Sequence, residues 1–347
     1  AVVARLFLLL SGEHESLPVS EVKAILEAEG YQYTILEKLD QILRLETDSA
    51  SAEALRHRAA FTRICALELL NCNSKMSSII KAMQQAPFEE ALKDNESFVV
   101  RIKHIKEYSS EINGMALERT LGRIILERCP GAKVDLKTPQ KKFVGTITEG
   151  RFVFGVNLAE IQAKPFLERR PRKKPFFHPS AMQAKLARCM VNLARPKAGY
   201  SVLDPFCGTG TMLIEAKLIG CQALGFDIQR RMARGTMRNM AHFNIEPDGI
   251  MIADAKYPPL TEVDCIVTDP PYGISSTTMK RTTKQIIKEV LTAVHGSLSG
   301  RGRACMAAPK KLSISSDITN LGYRYLESHF VYVHRSLTRE VVVFEKV

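Results

Sequence analysis

Nowhere in this chain do two cysteines stand at C-x-x-C spacing. Eight are scattered over 347 residues, which suggests neither a zinc site nor a disulfide framework and fits reduced thiols in an intracellular protein. No apolar run approaches the roughly 20 residues that a bilayer crossing needs. The apolar opening from Val2 to Leu10 carries Arg5 and lacks a basic leader and a small-residue cleavage site, so it reads as a strand. There is no phosphate-binding Gly-Lys-Ser/Thr motif. Gly208-Thr209-Gly210 has Leu213 where a dinucleotide fingerprint needs a third small residue. Neither ATP nor NAD fits well. Acid is scarce relative to base: 37 Asp and Glu face 49 Lys and Arg, for a formal charge of +12. That balance favours a polyanionic partner, nucleic acid ahead of an anionic membrane surface.

What is present is concentrated in the C-terminal half. Four candidate parallel strands each run into an aspartate: Ser201 to Asp204, Ala223 to Asp227, Ile250 to Asp254 and Cys265 to Asp269. In an open α/β sheet a ligand binds beyond the carboxyl ends of the strands. Four carboxylates there repel one another and resist desolvation, so a donor-rich ligand with a positive centre would reward them. Asp269-Pro270-Pro271-Tyr272-Gly273 follows the fourth strand. Two prolines end a ladder because neither donates an N–H. The Asp269 carboxylate and the Pro270 carbonyl could accept both N–H groups of a planar amine, with Tyr272 over the ring face. Gly208 and Gly210 let backbone approach a ligand, and the helix expected from Met212 to Ile219 turns its N-terminus toward it. Asp227 is placed to accept from ribose hydroxyls and Asp254 from an adenine amine. Phe177 and Ser180 should lie near the mouth of the crevice, with a helix starting at Pro179-Ser180 and running to Ala194. His178 reads as structural.

Upstream, residues 1–48 read as strand, helix, strand, strand, and residues 49–163 as a second α+β unit whose last two strands turn at Glu149-Gly150. Residues 164–178 form a basic linker. Its Arg169, Arg170, Arg172, Lys173 and Lys174 suit a solvated spacer that also contacts RNA phosphates. The four strands that end in aspartate would then belong to residues 179–347.

Asp204 to Gly210 together with Asp269 to Gly273 resemble the donor loop and catalytic motif of class I S-adenosylmethionine-dependent methyltransferases that act on exocyclic amines. Val134-Asp135-Leu136 with its hairpin, Phe176-Phe177-His178-Pro179 and His334-Arg335-Ser336-Leu337-Thr338-Arg339 extend the resemblance to the archaeal and eukaryotic tRNA guanine-10 2-amino methyltransferases. The resemblance implies an α/β protein: a ferredoxin-like segment, a THUMP RNA-binding domain, then a Rossmann-like domain. That last domain would hold a seven-stranded, mostly parallel sheet with one reversed strand. The implied cofactor is S-adenosyl-L-methionine. Phe177, Ser180, Asp204, Phe206, Cys207, Gly208, Thr209, Gly210, Thr211, Asp227, Ile228, Asp254, Ala255 and Asp269 would hold it. Asp269, Pro270 and Tyr272 would be catalytic. The implied partner is tRNA, in the cytoplasm and away from membranes. The third strand, 249–254, would be an apolar sheet edge, an aggregation hazard that a small zinc-binding activator subunit could cover. Two rival readings are an amine methyltransferase for adenine in DNA or for ribosomal RNA, and an RNA-binding protein with a relic pocket.

Overall fold

The computed structural model describes residues 2–272 and 281–347. Gly273 and the expected helix start at Met279 lie outside them. The chain begins β1 (Val3–Leu10), α1 (Leu17–Ala28), β2 (Tyr33–Leu39), β3 (Ile42–Asp48), α2 (Ser51–Arg58), β4 (Thr62–Asn73), α3 (Met76–Gln85) and α4 (Phe88–Ala91). It continues through β5 (Ser97–His104), α5 (Gly114–Arg128), β6 (Lys133–Val134), β7 (Lys141–Thr148) and β8 (Arg151–Glu160). Then come α6 (Lys164–Glu168), α7 (Ala184–Leu193), β9 (Ser201–Asp204), α8 (Thr211–Leu218), β10 (Gln222–Asp227) and α9 (Arg230–His242). The chain ends with β11 (Gly249–Ile252), β12 (Val263–Thr268), α10 (Thr283–His295), β13 (Leu298–Pro309), β14 (Tyr323–His334) and β15 (Leu337–Lys346).

Two compact units divide it. The first comprises Ala1–Glu13, Gly30–His57 and Thr62–Ile161. Its eight strands lie in the order β2-β3-β1-β4-β8-β7-β5-β6. β1 pairs with both β3 and β4, so the strands of residues 1–48 share one sheet with those that follow rather than forming a sheet of their own. Alternation puts apolar side chains on both faces. β7 sends Phe143 into a core with Phe88, Phe98, Phe152 and Phe154, and Val144 into another with Phe7, Ile64 and Val153. Each buried phenylalanine contributes about 1.5–3 kcal/mol by leaving water. The hairpin between β7 and β8 turns where expected. Glu149 and Gly150 both have positive φ, the geometry of a type I′ turn.

The second unit comprises His14–Glu29, Arg58–Phe61 and Gln162–Val347. It therefore takes α1 out of the N-terminal segment. Glu21 on α1 is fully buried and accepts from the Ala60 and Phe61 N–H groups at 3.0 and 2.8 Å and from Asn192 Nδ2 at 2.9 Å. Its seven strands run β11-β10-β9-β12-β13-β15-β14, with β15 the one reversed strand. Leu213 is fully buried in a cluster with Cys207, Ile214, Ala223 and Met240. It faces Gly225, where a Cβ would come within 2.5 Å of Leu213 Cδ1. The bulky residue that spoils the dinucleotide fingerprint is thus matched by a missing side chain on the next strand.

Two expectations need correction here. α7 starts at Ala184, not at Pro179-Ser180; residues before it form a turn in which the Ala181 N–H donates to the His178 carbonyl at 3.0 Å. Residues 164–178 are not a free spacer. They hold α6 and a single 3-10 turn at Pro171–Lys173, and buried Phe166 anchors the segment.

Candidate active site

β9, β10, β11 and β12 are parallel, so their carboxyl ends open on one side. The chain builds outward from β9 to β11, then returns to place β12 on β9's other flank. That reversal leaves a crevice between the loops after β9 and β12. A cleft of roughly 720 Å³ lies there, in the range of small-ligand sites. Ser180, Phe206, Gly208, Asp227, Ile228, Asp254, Ala255, Asp269, Pro270 and Tyr272 all border it.

Asp204 sits deeper, at 3 % exposure. With Cys207, Thr209 and Thr211 it borders a chamber of about 70 Å³ that also touches Asp269. It accepts from Thr268 Oγ1 at 2.6 Å and from the Phe206 N–H at 3.0 Å. Burial pushes its carboxyl up to about 7, and the Asp269 and Asp227 carboxylates add to that push. Asp227 accepts from the Gly208 N–H at 3.2 Å and the Gln229 N–H at 2.9 Å; burial raises it as well. Gly208 and Gly210 both have positive φ, and a Cβ at 210 would meet Thr236. Gly210 shapes the loop without bordering the cleft. Asp254 already holds the Arg281 guanidinium at 3.2 Å and the Lys256 N–H at 3.0 Å.

Asp269 follows β12. Its carboxylate takes the Tyr272 hydroxyl on one oxygen and Arg339 Nη2, at 3.2 Å, on the other. Burial raises its pKa, while the Arg339 charge opposes that rise. Arg339 Nε also donates to the Tyr272 hydroxyl at 3.2 Å. Arg339 is a cleft residue that reading by local motif did not single out. β15 runs against the parallel strands and meets β13 at Pro309, so its early residues lie at their carboxyl ends. A basic residue opening a reversed strand was the available signal. Tyr272, His334 and Leu337 also border a second cavity of about 960 Å³, rimmed by Lys284, Lys310, Lys311 and Arg335.

Other expected site residues fall elsewhere. Phe177 is 44 % exposed and borders neither chamber. His178, read as structural, borders the cleft and hydrogen-bonds Ser180 Oγ at 2.7 Å. Arg169 and Lys174 turn inward, away from any phosphate. Arg169 pairs with fully buried Glu215 on α8 at 2.7 Å, and Arg188 meets the same carboxylate at 2.8 Å. Lys174 Nζ donates to Thr211 Oγ1 at 2.6 Å, and burial lowers it to about 8. A buried carboxylate on the helix after β9 outcompetes solvent for these cations. Arg170, Arg172 and Lys173 stay exposed.

The strand order, the glycine turn after β9 and the acidic strand tips define a class I methyltransferase. Family models agree: the RMKL-like methyltransferase domain matches residues 171–340 and the THUMP domain residues 73–157. The chain is 37 % identical over 350 residues to the tRNA (guanine(10)-N2)-dimethyltransferase of Methanothermobacter thermautotrophicus, covering 99 % of each. It is 33 % identical to the enzyme of that name from Methanocaldococcus jannaschii, covering 98 % of this chain and 99 % of that one. It belongs to the tRNA (guanine(10)-N2)-methyltransferase family. Among solved structures, TrmN from Thermus thermophilus shares the fold at a TM-score of 0.54 and 20 % identity, covering 99 % of this chain and 100 % of that one. SMU.472, solved in complex with SAH, does so at 0.54 and 12 %, covering 100 % of this chain and 99 % of that one.

Proposed function

We propose that this chain methylates the exocyclic 2-amino group of a guanosine in tRNA, at position 10, using S-adenosyl-L-methionine in the cytoplasm. The observation that carries the reading is the half-buried Asp269 carboxylate bordering the same cleft as Asp227. The residues suit the donor: carboxylates that burial disfavours gain from a cation, and Phe206, Ile228 and Ala255 offer apolar faces beside them. Asp227 would accept from ribose hydroxyls and Asp254 from the adenine amine. Ser180, Gly208 and the loop through Thr211 would enclose the remainder. When bound, the donor supplies an electrophilic methyl group.

The guanine 2-amino nitrogen is a weak nucleophile because its lone pair is delocalised into the ring. One N–H would replace the Tyr272 hydroxyl on Asp269 and the other would meet the Pro270 carbonyl, which aims the lone pair at the methyl carbon. Tyr272 then covers the ring. As the nitrogen gains carbon it releases a proton, and Asp269 accepts it. Arg339 keeps that carboxylate ionised and aligned. The target base leaves its stack to reach the pocket, through the basic cavity beside Tyr272.

A transcript carrying guanosine at position 10 should yield N2-methylguanosine by nucleoside mass spectrometry, and the same spectrum reads whether a second methyl follows. A transcript with inosine there, which lacks the amine, should stay unmodified. Methyl groups on adenine would overturn the reading; the acceptor named for the relatives already weighs against adenine in DNA and ribosomal RNA.

The partner proposal concerns β11. It is an edge of the sheet, and Ile252 there is 56 % exposed. We propose that a small zinc-binding activator pairs with residues 249–254, for an open apolar edge invites another strand. A chain that is monodisperse and fully active alone would remove the motive.

A further inference from the structure

α9 contains four arginines and no aspartate or glutamate between Arg230 and His242. Arg230, Arg234 and Arg238 recur every four residues, and Arg231 falls three before Arg234. All four are exposed, and they line one surface groove of about 440 Å³. The floor of that groove is built. Phe176 lies across Gly235, where any Cβ would collide with its ring. Asn239 clamps the Phe176 backbone from both sides, accepting from its N–H and donating to its carbonyl, each at 2.9 Å.

This arrangement costs local stability. Like charges at i, i+4 repel by about 0.2–0.5 kcal/mol per pair. Arg230 and Arg231 occupy the first turn, where the helix dipole disfavours cations. Elsewhere in the protein arginines take carboxylates: Arg44 holds Glu37 and Glu68, Arg128 holds Glu89, and Arg195 holds Glu27. Among the described residues no carboxylate pairs with any of the four on α9. An anion from outside the chain would offset both local penalties.

The groove also has a direction. Arg231 borders both this groove and the donor cleft, so the arginine row starts at the cleft mouth and leads away from it along α9. Guanidiniums spaced over helical turns present several forks to successive phosphates, which a flexible single anion would not need. Resting on the functional reading above, we infer that α9 is a phosphate track: Arg230, Arg234 and Arg238 grip the tRNA backbone while the target base enters the catalytic crevice. The contact supplies affinity and register without reading sequence.

The test uses the full chain with the Arg234→Ala/Arg238→Ala double substitution. Both side chains are exposed and neither borders the cleft, so donor binding by calorimetry and the melting temperature should match the unsubstituted chain. Binding of unmodified tRNA, followed by fluorescence anisotropy across a salt series, should weaken about tenfold at physiological salt, and the slope of log K against log salt should fall by about two. KM for tRNA should rise by a similar factor, with kcat at saturating tRNA retained. Arg238→Glu alone should act in the same direction. An unchanged salt slope in the double variant would overturn the track while leaving the activity standing. Loss of binding to anionic phosphatidylserine vesicles, with tRNA binding intact, would also overturn it. If the unsubstituted chain neither binds nor methylates tRNA, the functional reading itself fails.

Discussion

The two sheets both carry carboxylates, and they treat them in opposite ways. In the first, Arg44 on β3 lies between Glu37 on β2 and Glu68 on β4, at 2.6 and 2.7 Å. Charge is neutralised across the sheet, with Glu37 on the neighbouring strand and Glu68 reached over β1, and the Arg44 pKa rises because Glu68 and Glu37 hold its proton. In the second, Asp204, Asp227 and Asp269 gather at the strand tips, and burial raises all three. Only Asp269 of these meets an arginine, at 3.2 Å. Ion pairs spread along strands stabilise a sheet. Carboxylates crowded at its tips weaken the unliganded protein and leave unmet electrostatic demand for a cationic ligand.

The comparison breaks most sharply at Asp269. Replacing it with Ala should lower kcat by about a thousandfold while donor affinity, measured by calorimetry, changes little. Near-normal turnover would mean that the tip carboxylates are structural after all. The next test falls on the other sheet. At Gly155 on β8 a Cβ would run into the Leu67 carbonyl, which is backbone and cannot step aside. Gly155→Ala should destabilise the first unit by about 3 kcal/mol. In denaturant titrations followed by hydrogen exchange, loss of protection should be confined to β4, β7 and β8.

Arg339→Gln should cost about ten- to a hundredfold in kcat/KM. Its charge holds the Asp269 carboxyl down against burial, so removing it lets that pKa rise. Asp269 must be ionised to accept the amine proton. The acid limb of the pH–rate profile should therefore move to higher pH, and a limb that stays put would make Arg339 merely structural.

Asp204 gives a stability test. Its folded value, about 7, lies above the ordinary 3.8, so the folded state favours the protonated acid. In the window between those values the native state binds more protons than the unfolded one. Its contribution to stability therefore falls as pH rises toward 7 and is constant above. Asp204→Asn should flatten that decline in melting temperature. The smallest effect is expected at Ile252→Lys on the β11 edge. Stability should stay within about 0.5 kcal/mol, with any concentration-dependent self-association reduced in light scattering.

Much of the second unit was legible because its signals are local. A β-branched run followed by Asp-Pro-Pro marks β12 and its tip, and Gly208-x-Gly210 before an apolar helix marks the loop after β9. Arg339 was hidden because its partner lies 70 residues away on a reversed strand. Arg169 and Lys174 misled for the same reason: six cations in a proline-rich stretch look solvated until Glu215 appears beneath two of the neighbouring guanidiniums. Sequence also could not show that α1 leaves its flanking strands for the second unit, since Glu21 finds Asn192 only through space.

That placement of α1 bears on how the molecule comes into being. On the ribosome, α1 emerges well before α7 and β14, yet its neighbours include Asn192, and His14 just before it reaches the Phe330 carbonyl at 2.7 Å. The helix must wait, tethered at both ends, until α7 and β14 have been made. A catalytic half cut out as residues 162–347 would lack a wall, with Asn192 stripped of Glu21 and of the Arg58 carbonyl. Gene truncations meant to isolate it should give aggregates, whereas supplying residues 14–29 and 58–61 in trans, or grafted on a linker, offers a route to rescue.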